Sequence, residues 1–397
     1  MRRFLSVSLL ATMVASGAAV AQQPAASQGQ PQQLVIKDQA EYQAYTSAVG
    51  QSDPKAKAQA LEAFLQQYPN TVVKKEALDQ LLAVYQQTGQ QDKLLDVANR
   101  ILQGDPENEQ AAIVVAYVKS TQAQQQAAQP GANQQTIAAQ YQEAATAAKK
   151  ALAGLDKLQK PANVDDAQFQ QQKTQIATVM NATIGLANYL SQKYADAVQP
   201  LFAAVQANPQ DVADMEYLGI SLAKPVTRAQ MYQDPQMKQQ LMEGVFWLAK
   251  AASMAPPQAK QQFTQVAQYY YNRYHGGVEG FDQAMQQAAS LPNPSNFQLA
   301  AAPSPADQAK QVLASTPPEQ ILAQDGFDTW ASILTVAAPA DQEKVWDATK
   351  GKKLELAGTV VNATNQQIQL AVSDSALAEK RADVTVQLAK PIATPPA

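Results

Sequence analysis

Apolar residues recur along most of the chain in the three- and four-residue steps of a helix. Leu61, Phe64, Leu65 and Tyr68 mark one face, and Pro69-Asn70 ends it. Leu78, Leu81, Leu82 and Tyr85 mark the next, ended by Gly89. Leu94, Leu95, Ala98, Ile101 and Leu102 mark a third, stopped by Gly104-Asp105-Pro106. This pattern predicts short antiparallel helices joined by tight turns. Farther along, Leu291 to Pro305 is rich in Pro, Asn, Ser and Ala and reads as a linker. Ser315-Thr316-Pro317-Pro318-Glu319 reads as a helix start. Ile321, Leu322, Phe327, Trp330, Ile333 and Leu334 then predict a helical hairpin that caps the array, and Asp341 to Ala348 one more helix.

After Lys350-Gly351 the period becomes two. Leu354, Leu356 and Val360 alternate with polar residues, as do Ile368, Leu370 and Val372, then Val384, Val386 and Leu388. Thr364-Asn365-Gln366 and Ser373-Asp374-Ser375 supply turns. The reading is a small antiparallel β meander with one apolar face. Three strands are marginal alone, so the preceding helix, with Trp346, is expected to cover that face.

The helix stops recur: Pro69 and Pro106 stand about 37 residues apart, Pro256 and Pro292 about 36, close to the period of a two-helix repeat. From Thr178 to Pro209 the chain resembles a tetratricopeptide repeat (TPR). Ile184-Gly185 occupies the place of that family's Leu-Gly pair, Tyr194 follows the turn, Ala197, Leu201 and Ala204 form the small-large-small series of the second helix, and Pro209 ends it. Asn181 and Asn188 stand where the family prefers aromatics. Leu218-Gly219, then Gly244, Leu248, Ala251 and Pro256, fit a second unit with an insertion from Lys224-Pro225 to Asp234-Pro235. Leu81, Tyr85, Gly89, Ala98 and Pro106 fit a divergent first unit. Ala111 to Lys119 and Tyr141 to Ala153 suggest another pair, split by the Gln-rich stretch Gln122 to Gln135. A long helix reaching back to Val164 ends at Leu190, and Tyr269 to Tyr274 with Phe281 to Pro292 make a last unit.

The resemblance implies a mainly α fold, a tetratricopeptide-like α-α superhelix with the small C-terminal β module appended. It also implies a groove that holds a partner segment. Carried over by position, the groove residues are Glu76, Asp79, Gln86 and Gln87 in the early unit, Leu186 and Tyr189 in the best unit, then Glu216 and Ile220. Such a polar, acidic-leaning groove suits a neutral or basic protein segment.

Composition changes this picture mainly by exclusion. Ala and Gln abundance favours helix. A net charge of -4 gives no general attraction for nucleic acid. With no cysteine, thiol catalysis, zinc-thiolate sites and disulfides are excluded. Arg2-Arg3, the apolar run Phe4 to Val14 and Ala19-Val20-Ala21 read as an export signal cleaved before Gln22. The run is short for a membrane span, and no later run is long enough for one, so no transmembrane anchor is expected after signal removal. The expected organisation is therefore 1–21 signal, 22–36 Gln/Ala/Pro leader, 37–295 repeat array, 296–348 linker and helical cap, 349–390 β module and 391–397 tail, in a periplasmic or secreted protein.

Candidate chemistry is sparse. His275 is the only histidine and reads as a helix C-terminal residue. Asp165-Asp166 reads as a helix N-terminal charge. Gly276-Gly277 and Gly280 lack the Lys and preceding strand of a phosphate loop. Neither a metal nor another cofactor is expected, and no catalytic residue is assigned. Tyr269, Tyr270, Tyr271 and Tyr274, with Arg273, form the densest aromatic group. Spacing puts Phe263, Val266, Tyr270 and Tyr274 in a core stripe and leaves Tyr269 and Tyr271 as partner-binding candidates. The leading expectation is an exported protein-interaction scaffold rather than an enzyme. Glycan or nucleic-acid binding through the β module, near Lys350, Lys352 and Lys353, is an alternative, and a carboxylate-based envelope enzyme a third.

Overall fold

The structure, a computed structural model, describes residues 36–392. The export signal, nearly all of the leader and most of the tail lie outside the described residues. The chain forms two units, the first ending at Leu299 and the second beginning at Ala300.

The first unit is helical. Its elements are α1 (Gln39–Val49), α2 (Pro54–Gln67), α3 (Lys74–Gln87), α4 (Gln91–Gly104), α5 (Glu109–Ala127), α6 (Gln134–Gly154), α7 (Asp166–Leu190), α8 (Tyr194–Ala207), α9 (Val212–Ala223), α10 (Arg228–Gln233), α11 (Pro235–Met254), α12 (Pro257–His275) and α13 (Phe281–Ser290). Side chains fix where many of them begin. Asp38, Asn108, Asn133, Asp165 and Asp211 each accept a hydrogen bond from a first-turn N–H. Each such cap contributes about 1 kcal/mol.

Helices α1 to α9 each pack on the next in sequence, α11 packs on α9, α10, α12 and α13, and α5 with α7, and α7 with α9, also touch directly. The hairpins therefore stack side by side, with α5, α7 and α9 in one layer. Glycine sets how closely they approach. A Cβ on Gly185 would lie 2.5 Å from Leu201 Cγ, and one on Gly219 2.6 Å from Leu248 Cγ and 2.9 Å from the Gly244 oxygen. Ala197, Leu201, Ala204, Leu218, Leu248 and Ala251 are all buried, and Leu201 of α8 and Leu248 of α11 fill these spaces.

Cations and amides close helix C-termini, where carbonyls lack intrahelical partners. Lys250, itself buried, donates to the carbonyls of Ala288 and Leu291 at the end of α13. Arg273 donates to the carbonyls of Ala223 (3.3 Å) and Val226 (3.0 Å) at the end of α9. Arg228 donates to those of Asn272 (2.8 Å) and Arg273 (3.1 Å) at the end of α12.

Three local expectations differ from the fold. The Gln-rich stretch does separate the pair, but the break inside it is only 128–133: α5 continues to Ala127 and α6 begins at Gln134, because Gln is a good helix former and the first breaker is Pro130-Gly131. The insertion after Lys224 contains α10, closed by a capping box between Thr227 and Gln230. The segment read as a linker begins inside the first unit. Phe297 is buried against Phe246 of α11, ring centroids 5.2 Å apart.

The second unit holds α14 (Pro305–Ser315), α15 (Ile321–Gln324), α16 (Gly326–Val336) and α17 (Pro339–Thr349), packed around Ala309, Ile321, Ile333, Ala337 and Val345. The antiparallel sheet follows, in the order β1 (Thr359–Ala363), β2 (Gln367–Ala371), β3 (Val384–Gln387). Val360 pairs with Leu370, Leu370 with Val384, and Ile368 with Val386, which gathers the apolar side chains on one face. Leu354 and Leu356 precede the strand. The expected turn Ser373-Asp374-Ser375 opens a short helix, α18 (Asp374–Glu379). Trp346 does not cover the sheet face as expected: it is 49% exposed. Val345 and Thr349, one turn apart, are the buried residues of α17, and Trp346 lies one step around the helix from them.

Candidate functional site

In the first unit, α7, α8, α9 and α12 supply five tyrosines, and α9 one carboxylate, to one region. Tyr189 near the end of α7 packs on Tyr217 of α9, ring centroids 4.8 Å apart, and on Tyr194 at the start of α8, 6.0 Å. Tyr270 of α12 lies close enough to help raise the Tyr189 hydroxyl, and Tyr194 close enough to help raise that of Tyr270. Beside it, Tyr269 is 56% exposed, and the Arg273 guanidinium covers both rings at 5.4 and 5.3 Å. Burial, then the nearby Tyr217 and Glu216, pushes the Tyr189 hydroxyl up, and burial pushes that of Tyr270 up to about 12. These phenols stay neutral and act as apolar rings with polar tips.

Glu216 comes from the same helix as Tyr217. It is 5% exposed. Burial pushes that carboxyl up to about 7. Arg273, the cation on the neighbouring α12, is held by carbonyls at the end of α9. Asp214 is also buried, two residues back on α9. Positions two apart diverge on a helix, so the two side chains leave α9 in different directions and are not a convergent acid/base pair. Asp211 and Asp214 instead line a cleft of about 340 Å³ with Thr178 and Thr183 of α7.

The other expected groove residues fall elsewhere. Ile220 is half-buried, one turn along α9 from Glu216. Leu186 is buried in the core, because α5, α6, α8 and α9 all touch α7 and leave it little free surface. It is not available to a partner. Asp79 pairs with Lys75 at 2.9 Å and lines a cleft of about 260 Å³. Glu76 Oε2 is buried without a hydrogen-bond partner among the described residues. The Tyr45 hydroxyl is pushed up by burial and then by Glu76 and Asp79. Gln86 and Gln87 line a separate cleft of about 690 Å³ bordered by α2, α3, α4 and α5, and both polar side-chain atoms of Gln86 are buried without a partner among the described residues.

Tyr271 is not a surface residue as expected. It is buried, packs on Phe281 (5.3 Å) and His275 (5.0 Å), and donates to the Glu279 carbonyl at 2.5 Å. It closes the α12–α13 turn, where Gly276 adopts φ +91°. Phe263, Tyr270 and Tyr274 are buried as their spacing predicts. Tyr217 was missed by sequence reasoning. Its signal was a carboxylate and a tyrosine inside the apolar run Met215-Glu216-Tyr217-Leu218.

Among the described residues no group of three or more His, Cys, Asp or Glu is placed to hold a metal ion, and no helix is long and apolar enough to cross a membrane. Lys350, Lys352 and Lys353 are exposed ahead of β1. Compared with protein-family models and with curated proteins, the chain matches none.

Proposed function

We propose that this chain is an exported scaffold of the tetratricopeptide type that holds a segment of another protein on the face formed by α7, α9 and α12. The supporting observation is the tyrosine cluster. The Tyr189–Tyr217 pair of α7 and α9 and the Tyr269–Tyr270 pair of α12 lie within electrostatic reach of each other, with Arg273 over the second pair. Tyr and Arg are the residue types that dominate polypeptide interfaces, because each offers a large rigid contact with a polar end. Stacked hairpins are suited to this task, since a row of equivalent helices presents one continuous surface to an extended or helical ligand. Export is part of the proposal and rests on the first residues of the sequence.

Photo-crosslinking in cells tests the reading. p-Benzoylphenylalanine placed at Ile220 or Tyr269 is expected to join the chain to the same polypeptide, while the same group at Gln206, exposed on α8, captures nothing. Capture at Gln206 alone, or at none of the three, overturns it. Mass spectrometry of the protein from the envelope fraction tests export: an N-terminus at Gln22 is expected, and an intact Met1 in the cytoplasm contradicts it.

A further inference from the structure

We propose that the cleft of about 690 Å³ bordered by α2, α3, α4 and α5 binds an acidic sugar, a saccharide unit that carries one carboxylate. The proposal goes beyond the polypeptide-binding reading and uses different helices.

Three observations carry it. First, the cleft joins an apolar floor to a rim of amides. Val84, Leu94 and Val118 line it and are buried, while Gln51, Gln80, Gln87 and Gln91 bring four carboxamides to it. A pyranose ring is divided in the same way, into C–H faces and a hydroxyl edge. Each carboxamide both donates and accepts hydrogen bonds, as each hydroxyl does. Second, Gln86 lines the cleft with an amide that bonds to nothing. Its nitrogen and oxygen are both covered, and neither has a partner among the described residues. Two unmet polar atoms are costly. Turning the end of this side chain into the cleft breaks no hydrogen bond of its amide. The turned amide meets two neighbouring hydroxyls, one as donor and one as acceptor. Third, Lys57 is the one charged side chain among the described residues that line the cleft. It is half-buried, and among the described residues no hydrogen bond or ion pair engages its ammonium.

Size and charge select the ligand. The volume is that of a pocket for a compact molecule rather than a strip for an extended chain. A sugar carboxylate meets Lys57 in a charge-assisted hydrogen bond, and the amides take the uncharged hydroxyls. An amino sugar would place a second cation beside Lys57, and a phosphate ester would bring up to two charges to a single ammonium.

The test is binding of the purified full chain to immobilised oligosaccharides of three kinds: uronic-acid, neutral and amino-sugar. The chain is expected to bind the uronic-acid members about tenfold or more tightly than the neutral ones, and the amino-sugar members not at all. Lys57→Gln is expected to abolish the preference for acid. Gln86→Leu is expected to weaken binding of every member by about tenfold or more and to raise the melting temperature, because it replaces two unmet polar atoms with apolar ones. A variant that is more stable and no longer binds has lost a site, not its fold. Binding of no saccharide, equal binding of acidic and neutral members, or undiminished binding by Gln86→Leu would each overturn the proposal. If Gln86→Leu does not fold, Lys57→Gln decides the matter. Crosslinking at Ile220 and Tyr269 reads the polypeptide face separately, so either reading can fail alone.

Discussion

Glu216 gives the sharpest expectation at the scale of single residues. Its folded-state pKa of about 7 lies above the ordinary 4.5 of a glutamate. Between those values the folded chain holds more protons at this group than the unfolded chain does, so its contribution to stability falls as pH rises. The penalty is absent below about 4.5, grows through 7 and then levels off at about 3 kcal/mol. Glu216→Gln removes it. Urea unfolding of both proteins across this range is expected to give equal stabilities in acid and a more stable variant, by about 3 kcal/mol, well above pH 7. A constant difference at every pH would show that the carboxyl is not held in a desolvated place. Gly219 is a second test. An added methyl group meets the Gly244 carbonyl at 2.9 Å as well as Leu248, and a backbone oxygen yields less readily than a side chain. Gly219→Ala is expected to destabilise by about 1–3 kcal/mol in the same assay, whereas Gly104→Ala, with nothing within 4 Å, is expected to change little.

At the scale of elements, helix periodicity and Pro or Gly stops made most of the hairpins legible. Ile184-Gly185 and Leu218-Gly219 marked the close contacts correctly because only glycine permits them. What the sequence hid follows from physics that a period does not encode. The break expected within Gln122 to Gln135 is present but shorter than that polar run suggests, because glutamine continues a helix until proline stops it. Phe297 lay in a segment of turn-forming residues, and its burial depends on a space beside Phe246 that only tertiary packing creates. Phe297→Ala is expected to cost about 3–5 kcal/mol and to release the segment after α13. Limited proteolysis checks this: early cleavage between Leu291 and Leu299 is expected in the variant, and an unchanged pattern contradicts the packing role. The site was half legible for a related reason. Position within the repeat named Tyr189, Glu216 and Ile220, but Leu186 and Tyr271 were misplaced because their helices are covered on more sides than a single stripe suggests.

For the whole molecule, the proposal makes the α7, α9 and α12 face the place where a polypeptide sits. The sequence provides a clean way to ask, because it contains no cysteine. Ile220→Cys, Tyr269→Cys and Gln206→Cys each introduce one thiol, two on the proposed face and one on α8. The decisive measurement is the rate of maleimide alkylation of each thiol with and without a saturating peptide selected on the wild-type chain. The account expects the peptide to slow alkylation at Ile220→Cys and Tyr269→Cys by about tenfold or more and to leave Gln206→Cys unchanged, as expected for a surface excluded from solvent by a bound chain. Slowing at Gln206→Cys alone, or equal rates at all three with the peptide bound, would contradict it.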